Sequence, residues 1–221
     1  FIQWEQARRT NNYQSYEATL THMFNTPKNM LGYRKLNKPL YEVALDDYEE
    51  GLTLDKVQDF FKVIQERLVP FIDIVLESQP QRPDFLDAYV SIDTQRKISK
   101  LIMDHLGYSE DFGYLGESAH PFSSTFSKND TRITTHYHTN NFTSNIFSII
   151  HEIGHSMYNH QVDSKYEETM IMHSMSASLH ESQSRLLENM IGRSKAFWTP
   201  IYPKLQALIP DILNTVSLDT F

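Results

Sequence analysis

Apolar residues recur at helical spacing along most of the chain. Phe1, Trp4 and Ala7 open a segment that predicts a helix over 1–24, followed by turn chemistry and basic charge over 25–39. Leu40 to Tyr48 resumes the spacing. Leu54 to Leu76 then predicts a long amphipathic helix with Val57, Phe60, Phe61, Ile64 and Leu68 on one stripe and a kink at Pro70. Prolines at 80 and 83 break it. Thr94 to Leu106 predicts another helix, with Gly107 as its C-cap. Residues 108–129 read as irregular loop, and the β-branched and aromatic run Thr131–Tyr137 reads as a short strand. Helices follow over about 143–160, 166–191 and 203–215. The pattern is that of a mainly α protein, and nothing in it resembles a repeat or an interdomain linker.

Composition narrows the picture. The chain has 221 residues, of which 40% are hydrophobic and 22% charged, so it buries a core rather than staying disordered. Only 7 residues are Gly, which disfavours a turn-rich β-sandwich or a Gly-rich phosphate loop. A net charge of −8 without a long basic run argues against nucleic acid as a partner. No apolar run reaches the roughly 20 residues of a membrane span. Cys is absent, which removes thiolate chemistry and suits the cytoplasm. Both ends read as cut inside a longer chain. The sequons at Asn129 and Asn141 read as chance matches.

The chemistry concentrates in His151-Glu152-Ile153-Gly154-His155, an HExxH sequence. On a helix, positions i and i+4 share a face, so both imidazoles reach one divalent cation. The Glu between them lies roughly 80° round the helix, within reach of a water beside that cation. Ile146, Ile149, Ile150, Ile153 and Met157 form the apolar stripe of this helix. The two His point roughly 170° away from its centre, beside Ser144 and Ser148. A catalytic zinc usually has a third protein ligand. Glu181 follows His155 by 26 residues, on a predicted helix whose Leu179, Leu186, Leu187 and Met190 face the other way. Position alone leaves a solvated surface Glu as an equal alternative, and the neighbouring His180 as a rival ligand. His22, His105, His160 and His173 read as structural or surface residues, and the Met cluster at 170–175 reads as helix packing.

Four motifs occur in order: His120-Pro121-Phe122, Asp130-Thr131-Arg132-Ile133-Thr134, the HExxH sequence at 151–155, and His180-Glu181-Ser182-Gln183. With Trp4–Asn11 and Asp46–Thr53, they make the whole chain resemble the thermostable, or Taq-type, family of HExxH metallocarboxypeptidases. The resemblance implies a mainly α, long-helix gluzincin-type peptidase lobe with a short β segment beside the active-site helix. It implies that residues 1–221 are a single helical catalytic-core fragment, without the N-terminal helices and later motifs of the family. It implies a metal held by His151, His155 and Glu181, with Zn²⁺ expected and Co²⁺ or Mn²⁺ able to replace it. Glu152 is then the general base and acid. The expected activity is broad-specificity hydrolysis of the C-terminal peptide bond of peptides with a free C-terminus, in a full-length homodimer. His120, Arg132 and Tyr137 are the candidate substrate-binding residues. Arg132 has a structural ion pair with Asp130 as its alternative, and the 131–137 strand is an expected edge for extended substrate. Position 136 is His where the family commonly has Arg. Two other readings remain: a gluzincin endopeptidase or aminopeptidase, and a metal-binding fragment without turnover.

Overall fold

The computed structural model describes residues 1–34, 37–78, 82–173 and 176–221. It divides into two compact units, Phe1–Gln79 and Pro80–Phe221.

The first unit is helical. The helix predicted over 1–24 is two helices, α1 (Ile2–Arg9) and α2 (Gln14–Tyr33). The break falls at two asparagines. Asn11 takes a left-handed φ of 48°, and the Asn12 side chain accepts from Ser15 N at 3.2 Å. Pro27 does not stop α2 where turn chemistry was expected, because its fixed φ is helical and only one backbone donor is lost. Next come α3 (Leu40–Tyr48) and α4 (Leu54–Val63), the latter capped by Thr53. A widened π turn at Ile64–Leu68 leads into α5 (Val69–Ser78). Pro70 cannot donate to the carbonyl four residues earlier, at Glu66, and the widened turn accommodates its ring. Phe60, Phe61 and Leu68 of the predicted stripe are exposed.

The second unit holds the large hydrophobic core. Helix α6 (Ile92–Leu106) begins at Ser91, whose Oγ accepts from Thr94 N at 3.2 Å, and ends at Gly107 with φ 73°. The left-handed cap favours Gly, as the sequence predicts. Residues 108–129 are not all loop. They contain β1 (Gly113–Glu117) and β2 (Ser123–Ser127), which pair with β3 (Asp130–Thr135) in the order β1-β3-β2. β1 runs parallel to β3, and β2 runs antiparallel. Two Gly in β1 and three Ser in β2 hide the β signal from propensity. The predicted 131–137 strand is shorter and is central, so it is not an edge. Both of its sides are already paired, and β2 is an edge.

Helix α7 (Phe142–His160) starts at Asn141, whose side chain accepts from Ser144 N at 3.3 Å. Ile146, Ile149, Ile150 and Ile153 are fully buried, packed in one cluster with Ile98, Ile102, Ile133 and Leu205. Thr131, Ile133 and Thr135, on alternate β3 positions, are buried as well. The helix predicted over 166–191 is replaced by 3₁₀ turns at Ser164–Tyr166 and Met170–Met172, then α8 (Ala177–Arg185) and a π turn at Leu186–Ile191. Met170 is exposed and Met172 is buried, so the Met cluster does not pack as one helix face; Met175 lies outside the described residues. The predicted 203–215 helix is α10 (Tyr202–Leu208) and α11 (Pro210–Leu213), after a single turn α9 (Lys195–Trp198). Pro210 holds Ile209 out of the helical region, which separates them. Among the described residues, no helix is long and apolar enough to cross a membrane.

Candidate metal centre

The centre is built where α7 meets α8, and Gly154 sets how close they come. A Cβ placed there would lie 2.6 Å from Ser184 Cα and 3.2 Å from Gln183 O. Only the bare α-carbon lets the two backbones approach this closely. Glu181 Oε2 then stands 3.3 Å from His155 Nε2 and 3.6 Å from His151 Nε2. The three ligand atoms lie within 4.8 Å of one another. Atoms bound to one tetrahedral cation at about 2.0–2.1 Å are separated by roughly 3.3–3.4 Å, so the arrangement fits a zinc-sized ion.

Each candidate ligand is held in the form a cation requires. His151 Nδ1 lies 3.0 Å from Glu188 Oε2. A proton on Nδ1, donated to that carboxylate, leaves the Nε2 lone pair free. His155 is nearly buried, and its ring stacks on His180 with centroids 4.3 Å apart. Burial, helped by the neighbouring His180 and His151, lowers its pKa to about 4, so it is a neutral donor. Among the described residues its buried Nδ1 meets no hydrogen-bond partner. Burial acts to raise the Glu181 pKa, but the Arg185 hydrogen bond and the two imidazoles outweigh it and hold the carboxyl below its usual range. His180 is therefore a packing partner of His155, and its Nε2 lies 3.3 Å from Asn159 Nδ2.

Glu152 lies on the same helix and is buried. Burial raises its pKa to about 7, with a further push from Glu181, against a hydrogen bond from Ser123. A carboxyl poised there both takes and returns a proton near neutral pH. Ser123 stands on β2, as does Thr125, whose Oγ1 accepts from Asn159 Nδ2 at 2.8 Å. The β2 edge therefore runs along the polar side of α7, its two contacts seven positions apart on the helix.

A cavity of about 910 Å³ opens on this helix face. Its lining includes His120, Ser144, Ser148, His151, Glu152 and Glu188. His120, an expected substrate-side residue, is exposed and lies on the wall of the cavity that His151 and Glu152 also line. The structure does not bring Arg132 or Tyr137 to that cavity. Arg132 is exposed on β3, between the buried Thr131 and Ile133, so it points to the opposite side of the sheet from them. There its fork pairs with Asp130 through two bonds of 2.8 Å, and its guanidinium sits 4.8 Å from the Phe126 ring centroid. This is the structural ion pair. Tyr137 turns towards α6, with its hydroxyl 3.5 Å from Ser99 Oγ. Of the four histidines expected to be structural or surface residues, His160 stacks on Phe112 at 3.8 Å and His105 packs edge-on to Phe197 at 5.0 Å. His22 is exposed near Thr26, and His173 is exposed.

The sequence reading missed Glu188, Arg185 and Ser123. Glu181, Arg185 and Glu188 have the i, i+4, i+7 spacing of one helix face, so that signal was available. Ser123 depends on sheet register and had none.

Two imidazoles from one helix and a carboxylate from the next form the donor set, and the buried carboxyl between the imidazoles completes the arrangement of a metallopeptidase-type centre. The profile described as Carboxypeptidase Taq (M32) metallopeptidase matches residues 1–221, and the chain belongs to that family. It is 33% identical over 220 residues to Carboxypeptidase 1 of Bacillus subtilis (strain 168), covering 99% of this chain and 44% of that protein. It is 33% identical over 221 residues to Thermostable carboxypeptidase 1 of Pyrococcus furiosus, with coverage of 99% and 44%. Among solved structures, the M32 carboxypeptidase of Deinococcus radiodurans R1 superposes with a TM-score of 0.83 at 28% identity, covering 98% of this chain and 44% of that one. The BsuCP crystal structure gives a TM-score of 0.91 at 32% identity, covering all of this chain and 44% of its own. The chain spans less than half the length of these relatives.

Proposed function

We propose that this chain carries the catalytic metal centre of a broad-specificity carboxypeptidase that hydrolyses the C-terminal peptide bond of peptides. His151, His155 and Glu181 hold the cation in this reading. Two imidazoles and one carboxylate suit Zn²⁺, and Co²⁺ or Mn²⁺ accept the same donors. When bound, the cation polarises the scissile carbonyl and lends acidity to water. Glu152 takes the proton from the attacking water and passes it to the leaving amine. Ser123 keeps the Glu152 carboxyl oriented. His120, on the wall of the same cavity, is the substrate-side hydrogen-bond donor. Arg132 and Tyr137 carry no step in this reading, because each is engaged elsewhere.

The observation that supports it best is the Glu181 oxygen 3.3 and 3.6 Å from two imidazole nitrogens of an HExxH helix. Full-length homodimers and a cytoplasmic setting are part of the same proposal. A second reading is a metal-binding lobe without turnover of its own, favoured by the 44% coverage of the relatives. The test is metal analysis together with product identification on N-acylated dipeptides. The reading expects one bound cation, release of the C-terminal residue, loss of release with a chelator, and no cleavage of the C-terminal amide. Glu152→Gln keeps the cation and stops hydrolysis. Cation binding by the wild-type chain without release selects the second reading. Turnover that survives Glu152→Gln removes Glu152 as the base.

A further inference from the structure

We propose that Arg185 is a positioning residue that makes Glu181 a one-oxygen ligand and couples it to the carboxylate behind His151. The proposal rests on the metal centre described above. Arg185 Nε donates to Glu181 Oε1 at 2.8 Å. The same guanidinium donates through Nη1 to Glu188 Oε2 at 3.2 Å. That oxygen is the one 3.0 Å from His151 Nδ1. The other Glu188 oxygen accepts from Arg193 Nη2 at 3.0 Å. One planar fork therefore spans the third ligand and the support of the first.

The consequence concerns the oxygen count at the cation. A carboxylate offers two oxygens, and nothing in its own chemistry prevents both from coordinating. Arg185 engages Oε1, and Oε2 is the oxygen set against the two imidazoles at 3.6 and 3.3 Å. Ser184 Oγ, 3.3 Å from Oε2, sits on the ligating side and leaves Oε1 to the arginine. A catalytic cation keeps an open position for water and substrate, and a two-oxygen Glu181 would take it. The guanidinium also offsets the repulsion between Glu181 and Glu188, two carboxylates converging on one imidazole. Lysine supplies the charge but not the fork, so it meets one carboxylate at a time.

The test uses the full 221-residue chain loaded with Co²⁺, whose visible absorption falls in intensity as coordination number rises. Wild type, Arg185→Gln and Arg185→Lys are compared by that spectrum, by chelator competition for Zn²⁺, and by thermal melting without metal. The proposal expects Arg185→Gln to give weaker cobalt bands and Zn²⁺ affinity lower by about 10–100-fold. Arg185→Lys falls between Gln and wild type. The metal-free melts stay together, because Arg185 is more than half exposed. A Gln variant with the wild-type spectrum and affinity overturns the proposal and leaves the metal centre standing. Failure of the wild-type chain to bind either cation removes the metal centre, and the proposal with it. If the Gln variant does not fold, the Lys variant decides: wild-type bands and affinity overturn the proposal, while weakened bands on an unchanged melt support it.

Discussion

Replacing Gly154 by Ala tests whether helix spacing holds the centre together. The added carbon would start 2.6 Å from Ser184 Cα. Non-bonded carbons rest about 3.5–4.0 Å apart, so α8 must retreat by roughly 1 Å. Crowding of this kind costs about 1–3 kcal/mol, and the helix preference for Ala over Gly returns about 1. The net loss of stability is therefore modest, about 0–2 kcal/mol. The centre suffers more. Glu181 lies one turn from Ser184 on the same helix, and a preorganised site tolerates displacements of only about 0.5 Å. Zinc affinity, measured by competition with a chromophoric chelator, is expected to fall at least about 10-fold while the metal-free melt shifts little. Gly32→Ala on α2 is the control, since among the described residues nothing lies within 4 Å of its added carbon. If Gly154→Ala binds zinc as tightly as wild type, the close approach of α7 and α8 does not control the centre.

Three further perturbations probe the scaffold. Tyr108→Phe removes a buried hydroxyl that donates to Thr131 O at 2.8 Å and accepts from Tyr114 N at 3.0 Å. It should lower stability in urea unfolding by about 1–3 kcal/mol, and an unchanged midpoint would show the sheet does not depend on that link. Ile149→Ala empties a fully buried position on the α7 stripe and should cost about 2–5 kcal/mol by the same assay. A loss below about 1 kcal/mol would mean the stripe is not the core. The Arg132 hydrogen bond, against a smaller effect of burial, lowers the Asp130 pKa. A depressed folded pKa adds stability above the unfolded value and loses it as pH falls through the folded one. In Arg132→Gln, NMR titration should show Asp130 rising towards its unfolded value, with little change in melting because both groups are exposed. An Asp130 titration that does not move would remove Arg132 as the cause.

Much of this arrangement is legible in the chain. The α7 stripe of isoleucines predicts its own burial, and the i, i+4 pair opposite it predicts a polar face. Gly107 marks the end of α6 by local chemistry alone, while the start expected at Thr94 falls two residues inside the helix that Ser91 caps. Counting residues puts Glu181 on a return helix, and the family resemblance, not position, singles it out from a solvated surface Glu. The failures share a cause, which is dependence on distant partners. β1 and β2 are recognisable only once β3 is there to pair with them, because Gly and Ser carry little strand preference. The face of Arg132 follows from which side of β3 packs inward, a fact of register. Asn11 and Pro27 show local misreadings: the helix expected over 1–24 runs through the true break at Asn11, and the turn chemistry expected over 25–39 gives way to α2, which continues to Tyr33.

The run from Glu181 to Arg193 carries acid, base, acid, base in sequence order, all aimed at one side of the centre. Those four groups share one short peptide. Grafting that stretch alone would retune the field around the imidazoles without altering a residue of the helix that bears them.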